Sequence, residues 1–380
     1  MSRPGFRLFR EIATAWVLCP GRRTITRIFR HSDQRRAHDA YHRFFRDGAW
    51  SLTWIWRALF RLLLATLCQE GVVELIIDDT LFHKAGRTIE GAGIFRDPVR
   101  STAKQVVYAL GLNLVVVSLK VEPPWRGEPL ALPVHVRLHR KDGPSLLDLA
   151  EQMIRDLAAW APERSFHLVG DGAYASLAGR QLPRTHITSR LRKDAALYAL
   201  PGPRQLGQRG RPRKKGERLP GLPELARQAR YWQEHEVPYR GRTHRRLLHA
   251  CTVLWYEVLK DQPVLLVIVR DPSGKDPDDF LFTTDLSAPP AAVPACYASR
   301  WATEDTFRAT KQILRGESPQ VRKRHAPERA AAFSFWLYSA VWTWYLTTVG
   351  TARSWIPTPW YPAKTTPSFD DALATLRTQV

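Results

Sequence analysis

Cysteine is scarce in this chain. Its 380 residues carry four, Cys19, Cys68, Cys251 and Cys296, scattered and without a C-x-x-C pair. That spacing gives structural zinc almost no support and makes a disulfide framework a poor expectation at this length; reduced thiols in a cytoplasm fit best. Acid is scarce too. Asp and Glu number 36 against 57 Lys and Arg, for a formal net charge of +21. Hydrophobic residues make up 44% and aromatics 11%, enough for a real core and too much for a disordered basic tail. The charge therefore speaks about partners: nucleic acid first, an anionic membrane second. Neither G-x-x-x-x-G-K-[ST] nor G-x-S-x-G occurs, which argues against a nucleotide cofactor and against serine-hydrolase chemistry. No internal repeat is present, and the first apolar stretch is short and interrupted by charge, so no signal peptide is expected.

One long uncharged run stands out, AAAFSFWLYSAVWTWYLTTVG at 330–350. It is long enough to span a bilayer. Its Trp and Tyr run through the middle instead of forming belts at the ends, and Ser and Thr recur, so it reads as a buried core helix with no membrane partner.

Residues 1–70 carry apolar positions at helical spacing, and 1–50 hold 11 Lys and Arg against 4 acids. Arg22, Arg23 and Arg27, with Arg30, Arg35 and Arg36, either line a DNA-facing side or form an ordinary solvated helix face. The pattern then changes. VVELIID (72–78), YALGLNLVVVSLKV (108–121), LALPVHVRL (130–138) and SFHLVGD (165–171) read as strands, and HITSR (186–190) begins another. SLLDLAEQMIRDLAAWAP (145–162) has helical periodicity, with Ser145 as N-cap. Strands, a helix and a further strand predict a mixed α/β sheet. Residues 201–220 are rich in Pro, Gly and Arg and predict an exposed loop. Strand patterns return at 244–260, 263–271 and 280–286, and the chain turns helical from about 296 to 315.

Three acids carry the chemistry: Asp78 and Asp171, each placed where a strand gives out, and Glu304 on a helix. Carboxylates that converge this way can hold two divalent cations, whose hard-ligand preference suits Mg²⁺. A pair about 3.5–4 Å apart activates an attacking water or 3′-hydroxyl and stabilises the departing oxygen. Around Glu304, Tyr297, Arg300, Glu304 and Lys311 stand as Y-x2-R-x3-E-x6-K. On one helix, Arg300, Glu304 and Lys311 would share a face. The plainer meaning of that spacing is a surface Arg–Glu pair and a solvated lysine.

With these blocks in view, the sequence resembles the DDE transposases of bacterial insertion sequences, in the superfamily marked by that Tyr-Arg-Glu-Lys signature. IIDDT (76–80) looks like the family's first-Asp block and VGDGAYA (169–175) like its second. The resemblance covers roughly residues 70–350. It implies an RNase H-like catalytic core with a β-rich insertion, to which the residues' own periodicity adds a helical N-terminal region, for an α/β fold overall. In that scheme 1–70 is the DNA-binding region, 71–190 and 291–350 are the two parts of the core, 191–290 is the insertion with its basic loop, and 351–380 is a C-terminal tail. It implies Mg²⁺, replaceable by Mn²⁺, with two ions per active site. It also implies cut-and-paste action on terminal inverted repeats, on transposon-end and target double-stranded DNA, by a homodimer in the bacterial cytoplasm in association with the nucleoid.

Carried over residue by residue, Asp78 matches the first acid, with Asp79 as its rival because strand alternation sends only one of the pair inward. Asp171 and Glu304 match the second and third. Tyr297, Arg300 and Lys311 match residues that contact the DNA end. Trp301 either stacks on a distorted base or packs in the core. The basic run with Arg209, Arg211, Arg213, Lys214 and Lys215 either tracks the DNA backbone in a salt-dependent way or is a merely solubilising loop, and DNA contact is the favoured reading. His83 and Lys84 either touch phosphate or lie in a solvated loop. Two other functions share the motifs: a catalytically retired, transposase-derived DNA-binding protein, and an RNase H-like nuclease without strand transfer.

Overall fold

The computed structural model describes residues 1–379 except 87, 98, 103, 126, 204–210, 240–241, 353–354, 356–358, 360–361 and 363. The chain opens with four helices, α1 (Arg3–Leu18), α2 (Ile25–Arg30), α3 (His38–Arg46) and α4 (Leu52–Leu67). Next come β1 (Val73–His83), β2 (Gly93–Arg96), β3 (Tyr108–Val121), β4 (Leu130–His139), α5 (Leu146–Trp160), β5 (Phe166–Gly170) and β6 (Thr185–Arg190). The following stretch holds α6 (Leu222–Gln228), β7 (Gln233–Tyr239), β8 (Arg242–Leu254), α7 (Tyr256–Leu259), β9 (Pro263–Arg270) and β10 (Asp279–Thr283). Helices close the chain: α8 (Ala292–Ala298), α9 (Ala302–Arg308), α10 (Ala326–Thr348) and α11 (Phe369–Arg377). The result is mixed α/β.

The chain divides into two compact units, Met1–Gly71 with Asp78–Pro162 and Ala302–Val380, and Val72–Ile77 with Glu163–Trp301. Strand β1 contributes to both.

In the first unit β3 is the hub. It pairs antiparallel with β2 and with β4 and is adjacent to β1 in the strand order. Its run Leu114–Val117 has no exposed surface, as expected of a strand covered on both faces. Gly111 is required where β3 meets β1, because a Cβ there would lie 2.4 Å from the Phe82 carbonyl oxygen. Helix α5 begins at Ser145, whose hydroxyl accepts the Asp148 amide at 3.2 Å, as the sequence predicts. Helix α10 is the buried core helix expected of the uncharged run. Its hydroxyls are satisfied within the protein, Ser339 donating to the Pro133 carbonyl and Thr343 to the Ser339 carbonyl. Its Phe333 meets Phe9, Trp16 and Phe45 at ring separations of 5.2, 5.5 and 5.7 Å. Among the described residues no helix is long and apolar enough to cross a membrane.

In the second unit Val73–Ile77 of β1 pair in parallel with Phe166–Gly170 of β5, and β5 pairs in parallel with β6. From β6 the order continues through β10, β9, β8 and β7, all antiparallel. A parallel sheet that carries Asp171 at the end of β5 thus grades into an antiparallel meander.

Three sequence expectations change. Strand β1 continues five residues past Asp78, so that acid lies within the strand instead of at its end. Asp-Asp-Thr reads as a strand terminus by propensity, but Thr80, Leu81 and Phe82 are 4, 2 and 0% exposed, and their burial carries the strand on. The strand expected over 244–260 stops at Leu254 and gives way to α7. The helix expected over 296–315 starts earlier and is not uniform: α8 opens at Ala292 with Pro294 in its first turn, where proline is tolerated. A 3₁₀ turn follows at Ser299–Trp301, then α9, then a π-helical turn at Ala309–Ile313. Arg300, Glu304 and Lys311 therefore do not share the face of one straight helix. Strands β2 and β7 and helices α6 and α11 have no counterpart in the sequence reading.

Candidate active site and nucleic-acid interface

Asp78 and Asp79 are half-buried neighbours on β1, and the Asp79 amide donates to Asp78 Oδ1 at 2.9 Å. Alternation puts Asp78, Thr80 and Phe82 on one face and Asp79, Leu81 and His83 on the other. The Phe82 face is identifiable. Its ring stacks on Phe335 of α10 at 5.4 Å, Phe307 of α9 meets Phe335 edge-on at 6.1 Å, and Lys311 Nζ lies 5.9 Å from the Phe82 ring centre. Asp78 therefore shares its side of β1 with the segment that carries Lys311. Asp79 belongs to the other side, where its charge reaches His139: burial lowers the imidazole pKa and Asp79 opposes it. Glu304 is exposed in the first turn of α9, beside an Asp305–Arg308 ion pair. Lys311 sits half-buried in the π-helical turn; burial lowers its pKa, and Glu317 and Asp97 oppose the shift.

In the second unit, Asp171 follows β5 directly. Its Oδ1 accepts the Ala173 amide at 2.9 Å, and its carbonyl accepts the Ser189 hydroxyl at 2.8 Å. Gly170 allows this turn, since a Cβ would stand 3.0 Å from both Ile77 Cγ2 and Tyr174 Cβ. Two guanidinium groups approach the Tyr297 ring, Arg190 at 5.4 Å and Arg300 at 5.9 Å from its centre. Burial raises the Tyr297 pKa; the two arginines oppose it, and Asp279 and Asp171 add to it. Tyr297, Arg300 and Trp301 line a cavity of about 510 Å³ with Arg190, His244 and Arg246. Trp301 is half-buried, with the Arg300 guanidinium 5.7 Å from its ring centre.

A family model described as DDE superfamily endonuclease matches residues 6–262. The chain belongs to that family. No curated protein matches it. The matched residues include Asp78, Asp79 and Asp171 and end before Tyr297, so the signature segment lies beyond them. Membership makes this DDE endonuclease an enzyme of the transposase and nuclease class, with DNA as substrate and divalent metal ions as the family's general cofactor. It also implies an RNase H-like fold. The donor chemistry fits such ions, since Asp78, Asp171 and Glu304 all offer hard carboxylate oxygens. Among the described residues, however, no three His, Cys, Asp or Glu side chains are already gathered as a metal-binding group.

The basic residues of this DDE endonuclease divide sharply. Arg22 and Arg27 are exposed. Arg23, expected beside them on a DNA-facing side, is 2% exposed, and Nε donates to the Trp16 carbonyl at 2.9 Å. Burial pulls its pKa down to about 10, so it is a structural cation that cannot reach a phosphate. Arg7, Arg10, Arg35 and Arg36 instead line a cavity of about 640 Å³ with Glu11, His31 and Asp33. In the basic loop, Arg209 lies outside the described residues, and Arg211 and Arg213 are exposed. Lys214 pairs with Asp261 at 3.1 Å, and Lys215 sits 3.8 Å from the Tyr198 ring centre and 4.6 Å from that of Tyr256.

His83 and Lys84 do not lie in a solvated loop: His83 ends β1, and both side chains have protein partners. His83 Nε2 is 2.7 Å from Asp97 Oδ2, and its amide donates to Glu317 Oε1 at 2.8 Å. Lys84 Nζ donates to the Glu317 carbonyl at 2.7 Å, and burial lowers its pKa to about 8. Burial alone would push the Asp97 carboxyl up, but bonds from His83 and from the Arg100 and Val99 amides hold it below the usual range. Asp97 and Glu317 escaped the sequence reading because no motif or spacing links them to His83.

Proposed function

We propose that this DDE endonuclease is a cut-and-paste DNA transposase that cuts at the terminal inverted repeats of a mobile element and joins the freed 3′-ends to target DNA. Asp78, Asp171 and Glu304 are its catalytic carboxylates. They would hold two divalent cations, Mg²⁺ or Mn²⁺, which when bound supply activation of the attacking water or 3′-hydroxyl and stabilisation of the departing oxygen. The observation that carries the reading is the seat of Lys311 against Phe82, on the Asp78 side of β1.

The chain's own residues do the holding. Lys311, Arg300 and the neutral Tyr297 hydroxyl bind phosphate oxygens of one DNA end, the cations by charge and the phenol as a donor. Trp301, backed by the Arg300 guanidinium, offers a face on which a distorted end base can stack. Arg22, Arg27, Arg211 and Arg213 grip the backbone along the duplex. Two copies acting on paired ends in a cytoplasmic setting complete the reading.

The experiment is a plasmid assay in Mg²⁺, with one DNA carrying the inverted repeats that flank the coding region. Double-strand release followed by joined product supports the proposal. Nicking without joining leaves a nuclease, and binding without nicking leaves a retired DNA-binding protein.

A further inference from the structure

The proposed chemistry leaves Arg23 unused, although it is among the largest fully buried side chains. Arg23 and its neighbour Trp16 each reach one carbonyl of the segment that carries Lys311. Nη1 donates to the Ile313 carbonyl, and Trp16 Nε1 donates to the Leu314 carbonyl at 3.0 Å. Arg23 Nε returns to the Trp16 carbonyl, which locks the two donors to each other. All of these residues belong to the first unit.

The need for such donors follows from the backbone. Across Ala309–Ile313 the helix widens to a π turn, closed by the Leu314 amide on the Ala309 carbonyl at 2.9 Å and the Gly316 amide on the Thr310 carbonyl at 3.0 Å. The chain then leaves the helix through Arg315, at φ +52°. No further helical turn follows to supply amides to the last carbonyls, which must find other donors. Gly316 lets the turn sit close, since a Cβ there would fall 2.4 Å from Ser334 Oγ and 2.9 Å from Phe82 Cε2. A single π turn is rare and is frequently found at functional sites. Here it contains Lys311 and directly follows the helix of Glu304.

We propose that Trp16 and Arg23 are positioning residues that brace the π turn and so fix Lys311, and with it Glu304, for DNA cleavage. The N-terminal helices then serve as part of the catalytic frame as well as a DNA grip. This inference rests on the roles proposed above for Lys311 and Glu304.

The test uses the full chain with Trp16→Phe, which keeps the buried ring and removes only the N–H donor, and Arg23→Lys, which keeps the charge and removes the forked donors. Three quantities are read: single-turnover cleavage of end DNA at saturating protein, the Kd for the same DNA, and hydrogen exchange at the Leu314 and Gly316 amides. Cleavage should slow about tenfold in each variant, the rate equivalent of one missing positioning bond, with Kd changed by less than about twofold. Exchange at the two amides should quicken by a similar factor. Unchanged cleavage, or a loss confined to Kd, overturns the proposal, as does unchanged exchange. If the wild-type chain does not cut DNA, the transposase reading fails instead, and the brace is decided by exchange alone. Should either variant lose its cooperative melt, the other decides.

Discussion

Lys311 and Phe82 meet across the first unit, with the ammonium nitrogen 5.9 Å from the ring centre. Because Phe82 and Asp78 are four residues apart on one strand, that contact places Asp78, and not Asp79, on the side of the Lys311 segment. Asp78→Asn should cut the rate of Mg²⁺-dependent DNA cleavage about a thousandfold, the scale of losing a reacting-centre ligand. Asp79→Asn should retain activity within about tenfold. A single-turnover nicking assay on both variants reads the difference, and equal loss in the two would contradict the assignment.

Exposed and buried arginines of the same stretch should fail in different ways. Arg22→Ala and Arg27→Ala should each flatten the dependence of log K for DNA on log salt by about 0.9 for every phosphate left without its cation, with little change in melting. Arg23→Ala should leave the salt slope intact and cost about 2–3 kcal/mol of stability, because it strips hydrogen bonds from buried carbonyls. Salt-titrated binding and urea melts on the three variants check both halves.

Lys84 gives stability a pH dependence of definite sign. Its pKa is about 8 in the folded chain, below the ordinary lysine value of 10.5. Between those two limits the unfolded chain binds more protons than the folded one, so stability rises with pH through that window. The contribution is complete above the unfolded value and is lost as pH falls through 8. Wild-type stability minus that of Lys84→Met, measured by urea melts from pH 7 to 11, should therefore climb between about 8 and 10.5. A flat or falling difference would contradict burial as the cause.

The approach of β3 to β1 leaves no room at Gly111. Gly111→Ala should cost about 1–3 kcal/mol, or more where the backbone cannot shift, because the new methyl meets the Phe82 carbonyl. Since Phe82 shares a face with Asp78, cleavage should fall as well. Thermal melting and nicking rates measured together test the pair of effects.

The parts of this fold legible in the sequence are those set by local rules. Ser145 announces α5, and the unbroken apolar run of β3 announces a buried strand. Asp171 was readable as a strand-end acid because Gly170 closes β5 just before it. Decisions made by distant packing were not readable. Nothing local distinguishes Arg23 from Arg22, since its buried guanidinium is held by the Trp16 and Ile313 carbonyls. The extension of β1 through Asp-Asp-Thr comes with its place beside β3, and the exit from the π turn runs through Gly316, packed close against Ser334 and Phe82. Asp97 and Glu317 reach His83 only through the folded backbone. The Tyr-Arg-Glu-Lys spacing was legible as a pattern, yet its four residues hang on α8, a 3₁₀ turn, α9 and a π turn in succession.

The proposed catalytic role of Asp171 and Glu304 can be read from Asp171→Ala and Glu304→Ala in a paired assay of Mg²⁺-dependent cleavage and of binding to terminal inverted-repeat DNA. Each substitution should abolish cleavage and leave the Kd for the repeat within about threefold, since phosphate contacts from the basic residues remain. Retained Mg²⁺-dependent nicking by either variant would contradict that role.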